Sequence, residues 1–304
     1  MTRAFTADLV DARGASLGEG PVWLAQREEL LWVDINGGHL HVADASGRHL
    51  RTTTVGGELG AALPGENGTL LLATDQGLSV MLADGEVREL DSTLADLPDL
   101  RFNDGKVDPG GHALLGTTSL SGELGTGFFG RVEDDGTVSR LVTGISVSNG
   151  LDWSLDGRTL YYIDTMTYRV DAFDHDPVTG TPTRRRTAFA LPREWGYPDG
   201  MCIDADGFLW IAFAGGGCVR RFAPDGSVEA VVHLPVPGAT SCTFGGPDLD
   251  TLFITTTRND VSEEDLAGRY ASSGGLFAVR TGQRGRLPTL WRSTALTTVL
   301  GRSD

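Results

Sequence analysis

Short apolar runs punctuated by Asp, Asn, Gly and Pro recur along this chain, always with the same order of parts. A polar residue leads into an apolar stretch, a turn follows, and a strongly apolar run comes next. The first copy is Glu19-Gly-Pro-Val-Trp23 followed by Leu30-Leu-Trp-Val-Asp34. Another is Asn149-Gly-Leu-Asp-Trp153, a turn at Ser154-Leu-Asp-Gly157, then Leu160-Tyr-Tyr-Ile-Asp164. Asp199-Gly-Met-Cys-Ile203, Asp204-Ala-Asp-Gly207 and Phe208-Leu-Trp-Ile-Ala212 repeat the design. Weaker copies begin at Leu59, Asn103 and Thr240.

The six starts, Glu19, Leu59, Asn103, Asn149, Asp199 and Thr240, are spaced by 40, 44, 46, 50 and 41 residues. A period in the forties with about four short strands per unit predicts propeller blades. The expected fold is therefore all-β: a six-bladed β-propeller with four-stranded antiparallel blades around a central channel. Helical periodicity is confined to Ser262-Glu-Glu-Asp-Leu266. One domain over 1–290 is expected, with Phe5–Val10 supplying the outer strand of the last blade and so removing an exposed edge. The stretch 291–304 fits no blade and is expected to be an appended or disordered tail.

Composition sharpens this picture. Gly 42 in 304 residues suits a chain of many tight turns. A net charge of −16 repels phosphate backbones and anionic lipid, so neither nucleic acid nor membrane is an expected partner. No run approaches the roughly 20 apolar residues of a membrane span. The N-terminus lacks the apolar core of a secretory signal. Cys202, Cys218 and Cys242 have no metal-type spacing and are expected to be reduced, buried thiols in a cytoplasmic protein.

The heads of the repeats carry the candidate chemistry. In a propeller the first strand of each blade lines the channel, so equivalent positions converge on the axis. Glu19, Asn149 and Asp199 then surround one point with two carboxylates and an amide oxygen. Such carboxylates repel, and a cation relieves them. Taken singly, Asn-Gly and Asp-Gly pairs are accounted for by turns. Glu is a poor turn residue, however, and all three occupy one slot of the repeat, which points to a site. Oxygen donors without Cys or His favour a hard divalent ion, with Ca²⁺, Mg²⁺, Mn²⁺, Fe²⁺ and Zn²⁺ all admissible. His39 and His41 alternate on one strand and invite a metal reading, but a surface strand is the expected account. Trp195 and Tyr197 are candidates for an apolar rim, with packing an equal account of Trp195. Phe128 and Phe129 are candidate lid residues.

At these same places the sequence resembles the gluconolactonase family that includes regucalcin, or senescence marker protein. The stretches are Gly18-Glu-Gly-Pro-Val-Trp23, Arg101-Phe-Asn-Asp-Gly-Lys-Val-Asp108, Ser148-Asn-Gly-Leu-Asp-Trp-Ser154, Tyr161-Tyr-Ile-Asp164, Pro198-Asp-Gly-Met-Cys-Ile-Asp204 and Thr240-Ser-Cys-Thr-Phe-Gly-Gly246. The resemblance implies a metal held by Glu19, Asn149 and Asp199. It also implies proton transfer by Asp199 and substrate binding by Arg101 and Asn103. A substrate-contacting Glu of the family falls on Ser121, in Gly116-Thr-Thr-Ser-Leu-Ser-Gly-Glu123, with Glu123 as a substitute if the loop shifts. The implied reaction is metal-dependent hydrolysis of a sugar lactone to the aldonic acid. A phosphotriesterase-like hydrolase on the same metal is the rival enzyme, since a fold does not fix a reaction. A non-catalytic calcium-binding regulatory protein is the rival outside catalysis. Oligomeric state is not legible.

Overall fold

The computed structural model describes residues 2–292. Six sheets, antiparallel but for one N-terminal strand, form the six blades of a propeller. Their innermost strands are Gly18–Leu24, Leu59–Pro64, Leu100–Val107, Ser148–Trp153, Tyr197–Ile203 and Ala239–Gly245. Each lies against the innermost strands of both neighbouring blades, so the ring closes.

The strands are short and both faces are covered, which explains the uninterrupted apolar runs. A strand wedged between two blades needs apolar side chains on both sides. Six clusters of buried residues result, one per interface. Ala61, Leu71, Phe102 and Leu115 fill the space between blades 2 and 3, while Leu151, Trp153, Phe129 and Tyr162 fill that between blades 3 and 4. Phe128 and Phe129 are therefore not lid residues. They sit on the strand Gly127–Val132, and alternation sends Phe128 to one interface and Phe129 to the other. Their exposures are 2% and 1%.

The N-terminal segment splits where one outer strand was expected. Blade 6 has only three strands of its own, and Asp8–Asp11 pairs antiparallel with Leu276–Arg280 as its fourth. Arg3–Thr6 instead runs parallel to Val228–His233 and gives blade 5 a fifth strand. Buried Ala7, whose amide donates to His233 O at 3.0 Å, marks the crossing.

The chain then returns beneath the ring as a strap. Gly285 N bonds to Leu249 O, Ala205 N to Arg284 O, and Trp291 N to Pro64 O. Arg286 Nη2 donates to Asp152 Oδ1 at 3.0 Å and to Trp153 O at 2.9 Å. Trp291 is fully buried among residues of blades 2 and 3. That residue was expected to open a loose tail; it is anchored instead, because its indole completes an interface core. Residues 293–304 of that tail lie outside the described residues. The helix Glu263–Ala267 is capped by Ser262, whose hydroxyl accepts from Asp265 N at 3.1 Å. No helix among the described residues is long and apolar enough to cross a membrane.

Candidate functional site

One backbone device repeats at the head of every blade. The ladder between first and second strands skips between Glu19 and Val22, Leu59 and Ala61, Phe102 and Asp104, Asn149 and Leu151, Pro198 and Met201, and Ala239 and Ser241. A bulge unpairs a residue and re-aims its side chain. Here the bulges turn Glu19, Asn103, Asn149 and Asp199 toward the channel. Their glycines follow from the close approach of neighbouring blades. A Cβ on Gly150 would lie 2.6 Å from Asp199 O, and Gly20 has φ +52°.

Glu19, Asn149 and Asp199 come together at one mouth of the channel. The Asp199 carboxyl stands close enough to the Glu19 and Asn149 side chains for both to act on its charge. Glu19 Oε2 accepts from Gly20 N at 3.0 Å. Asn149 is held from behind: its Nδ2 donates to Thr165 Oγ1 at 2.9 Å, and Thr165 Oγ1 donates to Pro198 O at 2.8 Å. That contact ties the amide of blade 4 to the start of the blade 5 strand. It also leaves Asn149 Oδ1 facing the mouth, where Asn103 Nδ2 reaches it at 3.4 Å.

The electrostatics fit a bound cation. Burial, then the charges of Asp199 and Asp104, push the Glu19 carboxyl well above the usual carboxylate range. Burial and Asp104 push Asp199 the same way. Asp104 itself rises to about 6 through burial, with Lys106 acting against the shift. Three carboxyls therefore crowd one place, and burial makes each harder to charge than in water. A divalent cation with oxygen ligands resolves that conflict. Asp104 was passed over in the sequence because it stands one residue after the head of its repeat, and its Asp-Gly pair reads as a turn.

Arg101 and Asn103 flank the mouth. Arg101 Nη1 donates to Asn103 Oδ1 at 2.6 Å and Arg101 Nε pairs with Glu58 at 3.0 Å. Asn103 Nδ2 donates to Ser148 O at 2.7 Å. Ser121 and Glu123 lie on the exposed loop between two strands of blade 3. The Ser121 hydroxyl bonds to Asp99 Oδ2 at 3.0 Å, and the Glu123 amide to Ser119 Oγ at 3.0 Å. Tyr197 is half exposed at the rim, 5.8 Å ring to ring from Tyr168. Trp195 packs on Phe213 and Phe222 inside its own blade, which is the packing account rather than the rim.

Deeper in the channel, Lys106 Nζ donates to Met201 O at 2.8 Å and to Asp152 Oδ2 at 3.2 Å. Arg286 of the strap meets the other oxygen of Asp152. Cys202 and Cys242 line the same cavity as buried free thiols, with sulfurs 3.8 Å apart. Cys218 is likewise buried and free. His41 corrects the expectation of a surface strand: it is 4% exposed, and Asp34 from the preceding strand stands beside it and His39.

Known proteins place this geometry in context. A family profile described as the SMP-30/Gluconolactonase/LRE-like region matches residues 17–258. Regucalcin of Xenopus laevis is 39% identical over 281 residues, covering 90% of this chain and 94% of that protein. YvrE of Bacillus subtilis, named for sugar lactone lactonase activity, is 34% identical with the same coverage. The crystal structure of a calcium-binding protein, regucalcin of Agrobacterium tumefaciens, superposes with a TM-score of 0.90 at 29% identity, covering 96% of this chain and all of that one. The chain belongs to the SMP-30/gluconolactonase/LRE-like family.

Proposed function

We propose that this chain is a divalent-metal-dependent lactonase that opens a small sugar lactone to its aldonic acid. The observation that carries this reading is the meeting of Glu19, Asn149 and Asp199 at one mouth of the channel, with both carboxyls disfavoured as bare charges. Relatives named for lactonase activity support the substrate class.

Glu19, Asn149 and Asp199 would hold the metal through oxygen. Bound there, the ion supplies Lewis-acid polarisation of the lactone carbonyl. The chain's own residues do the rest. Asp199, with part of its surface open to the mouth, takes a proton from the attacking water and returns it to the leaving ring oxygen. Arg101 and Asn103 orient the substrate: each already holds the other, and Glu58 fixes the guanidinium against drift. Asn103 Nδ2 and the Arg101 guanidinium offer donors to hydroxyl or carbonyl oxygens. Thr165 keeps Asn149 from rotating. Ser121 and Glu123, on a loop above, are the positions at which sugar preference is read.

The test is a panel of sugar lactones and organophosphate esters, read by acid release. It is run with chelated protein and again with Ca²⁺, Mg²⁺, Mn²⁺, Fe²⁺ or Zn²⁺ restored. Lactone turnover that vanishes on chelation and returns with metal is expected. Rates indifferent to chelation overturn the metal's role. Preference for phosphorus esters overturns the substrate class, and tight Ca²⁺ binding without turnover favours a regulatory protein.

A further inference from the structure

A second cluster of ligating side chains stands in blade 1, away from the channel. Asp34 closes the strand Glu29–Asp34, and His39 and His41 open the next strand, His39–Asp44, directly across the hairpin. One ligating atom from each lies within 4.8 Å of those of the other two. The oxygen and nitrogen converge over Gly37. A methyl placed on that glycine would lie 2.6 Å from His39 Nδ1 and 2.8 Å from Asp34 Oδ2. His39 Nδ1 and Asp34 Oδ2 thus close over the bare Cα of Gly37, where a side chain would push them apart.

His41 supplies the independent sign of a ligand. Its ring is buried against Trp32, with centroids 4.3 Å apart. Nδ1 is engaged by Thr52 Oγ1 at 2.8 Å, so the remaining ligand atom is Nε2. That nitrogen is buried and has no hydrogen-bond partner among the described residues. An unpaired buried ring nitrogen costs free energy unless something meets it. In the tautomer that donates from Nδ1 to Thr52, Nε2 presents a lone pair, the arrangement in which a metal-binding imidazole is held by its other nitrogen. Thr52 also reaches His49 Nε2 at 3.5 Å, so the hydroxyl sits between two imidazoles.

Part of the cluster belongs to the fold alone. Asp34 accepts from Ser16 N and Leu17 N, both at 3.0 Å. Asp164 of blade 4 does the same for Ser146 N and Val147 N. There, however, the following strand opens with Arg169 and Asp171, which pair with each other at 2.7 Å. The carboxylate is the repeat's own device; the two imidazoles are peculiar to blade 1. Arg13 stands nearby with its charge met by Asp11 at 3.1 Å.

We propose that Asp34, His39 and His41 form a second metal site, distinct from the channel site and selective for borderline ions such as Zn²⁺. Two imidazoles and a carboxylate match the ligand set and softness of Zn²⁺ or Co²⁺ rather than Ca²⁺. Half-exposed His39 leaves the fourth position to water. Because Asp34 also holds Ser16 and Leu17, on the connector from the closing strand of blade 6, an ion here fastens the seam of the ring.

The experiment titrates the full-length protein, pre-saturated with Ca²⁺, with Co²⁺ and with Zn²⁺, by absorption spectroscopy and calorimetry. One equivalent of Co²⁺ with the visible bands of a four-coordinate nitrogen–oxygen site is expected, displaced by Zn²⁺. His39→Gln and Gly37→Ala should each abolish the bands while lactone turnover with Ca²⁺ is retained. Thr52→Val should weaken Zn²⁺ binding by roughly 10–100-fold, as loss of a partner behind a ligating imidazole does. Asp199→Asn should leave the bands intact. Bands that survive in His39→Gln, or that disappear in Asp199→Asn, overturn the proposal, as does absence of binding by properly folded wild-type protein.

Discussion

Asp199 and Glu19, from blades 5 and 1, meet as two neighbouring carboxyls at the channel mouth. Neither has a lysine or arginine bonded to it among the described hydrogen bonds and ion pairs. The arrangement is costly by itself, and a group of this kind persists where function repays the stability it loses.

Removing one of the two charges separates those roles. Asp199→Asn should reduce lactone turnover about 10²–10⁴-fold, the range for a lost general acid–base. In chelated protein the same change should raise the melting temperature, because a carboxyl that burial and Asp104 disfavour as a charge is replaced by a neutral amide. Initial rates and calorimetry on one preparation check both halves. Unchanged turnover with metal bound contradicts the catalytic role.

The pH dependence of stability has a definite sign. Asp104, Glu19 and Asp199 all have pKa values above the ordinary carboxylate range, Asp104 at about 6. Across that interval the native state binds more protons than the unfolded chain, so unfolding free energy falls as pH rises. Metal-free protein should therefore melt at lower temperature at pH 8 than at pH 7, above the range in which His41, held down to about 4 by burial, opposes the trend by charging only in the unfolded chain. The surface carboxyls shifted the other way by their partners, such as Asp44 and Asp265, have already titrated below this window. Saturating divalent metal should flatten the slope, which scanning calorimetry with and without chelator measures.

Gly150→Ala is a steric probe of the site that changes none of its polar side chains. Its methyl would lie 2.6 Å from Asp199 O and 2.9 Å from Met201 Cγ. Blades 4 and 5 must part to admit it, at about 1–3 kcal/mol. Turnover should fall more than tenfold, since a displacement near 1 Å at a catalytic group is costly. Urea melts and steady-state rates test it, and full activity would show that the glycine is dispensable.

Trp291→Ala asks what the strap contributes. The indole is fully buried between blades 2 and 3, and Trp291 N and O both bond to blade 2. A loss of about 3–5 kcal/mol is expected for a truncated core aromatic. A change below 1 kcal/mol would mean that the strap is peripheral. Chemical denaturation with the metal site saturated reads the difference.

Much of this molecule is legible in the repeat. The run Leu160-Tyr-Tyr-Ile-Asp164 reads as a strand covered on both faces, and it is one. The bulges make Glu19, Asn149 and Asp199 equivalent, and the polar-Gly pairs announce them. Asp104 escaped because its role depends on burial and on neighbours from blades 1 and 5. Phe128 and Phe129 looked mobile beside glycines, yet strand alternation buries one on each side.

By itself the sequence determined the blade count, the all-β architecture and the repeat slot shared by Glu19, Asn149 and Asp199, because periodicity is local and survives being read one residue after another. Only the tertiary structure decided how Arg3–Thr6 and Asp8–Asp11 divide between two blades, and that the C-terminal strap reaches Asp152 and Pro64. The same holds for the meeting of Asp34 with His39 and His41. Those are contacts between segments whose pairing depends on which edges and cavities the closed ring leaves open, and no spacing along the chain encodes that.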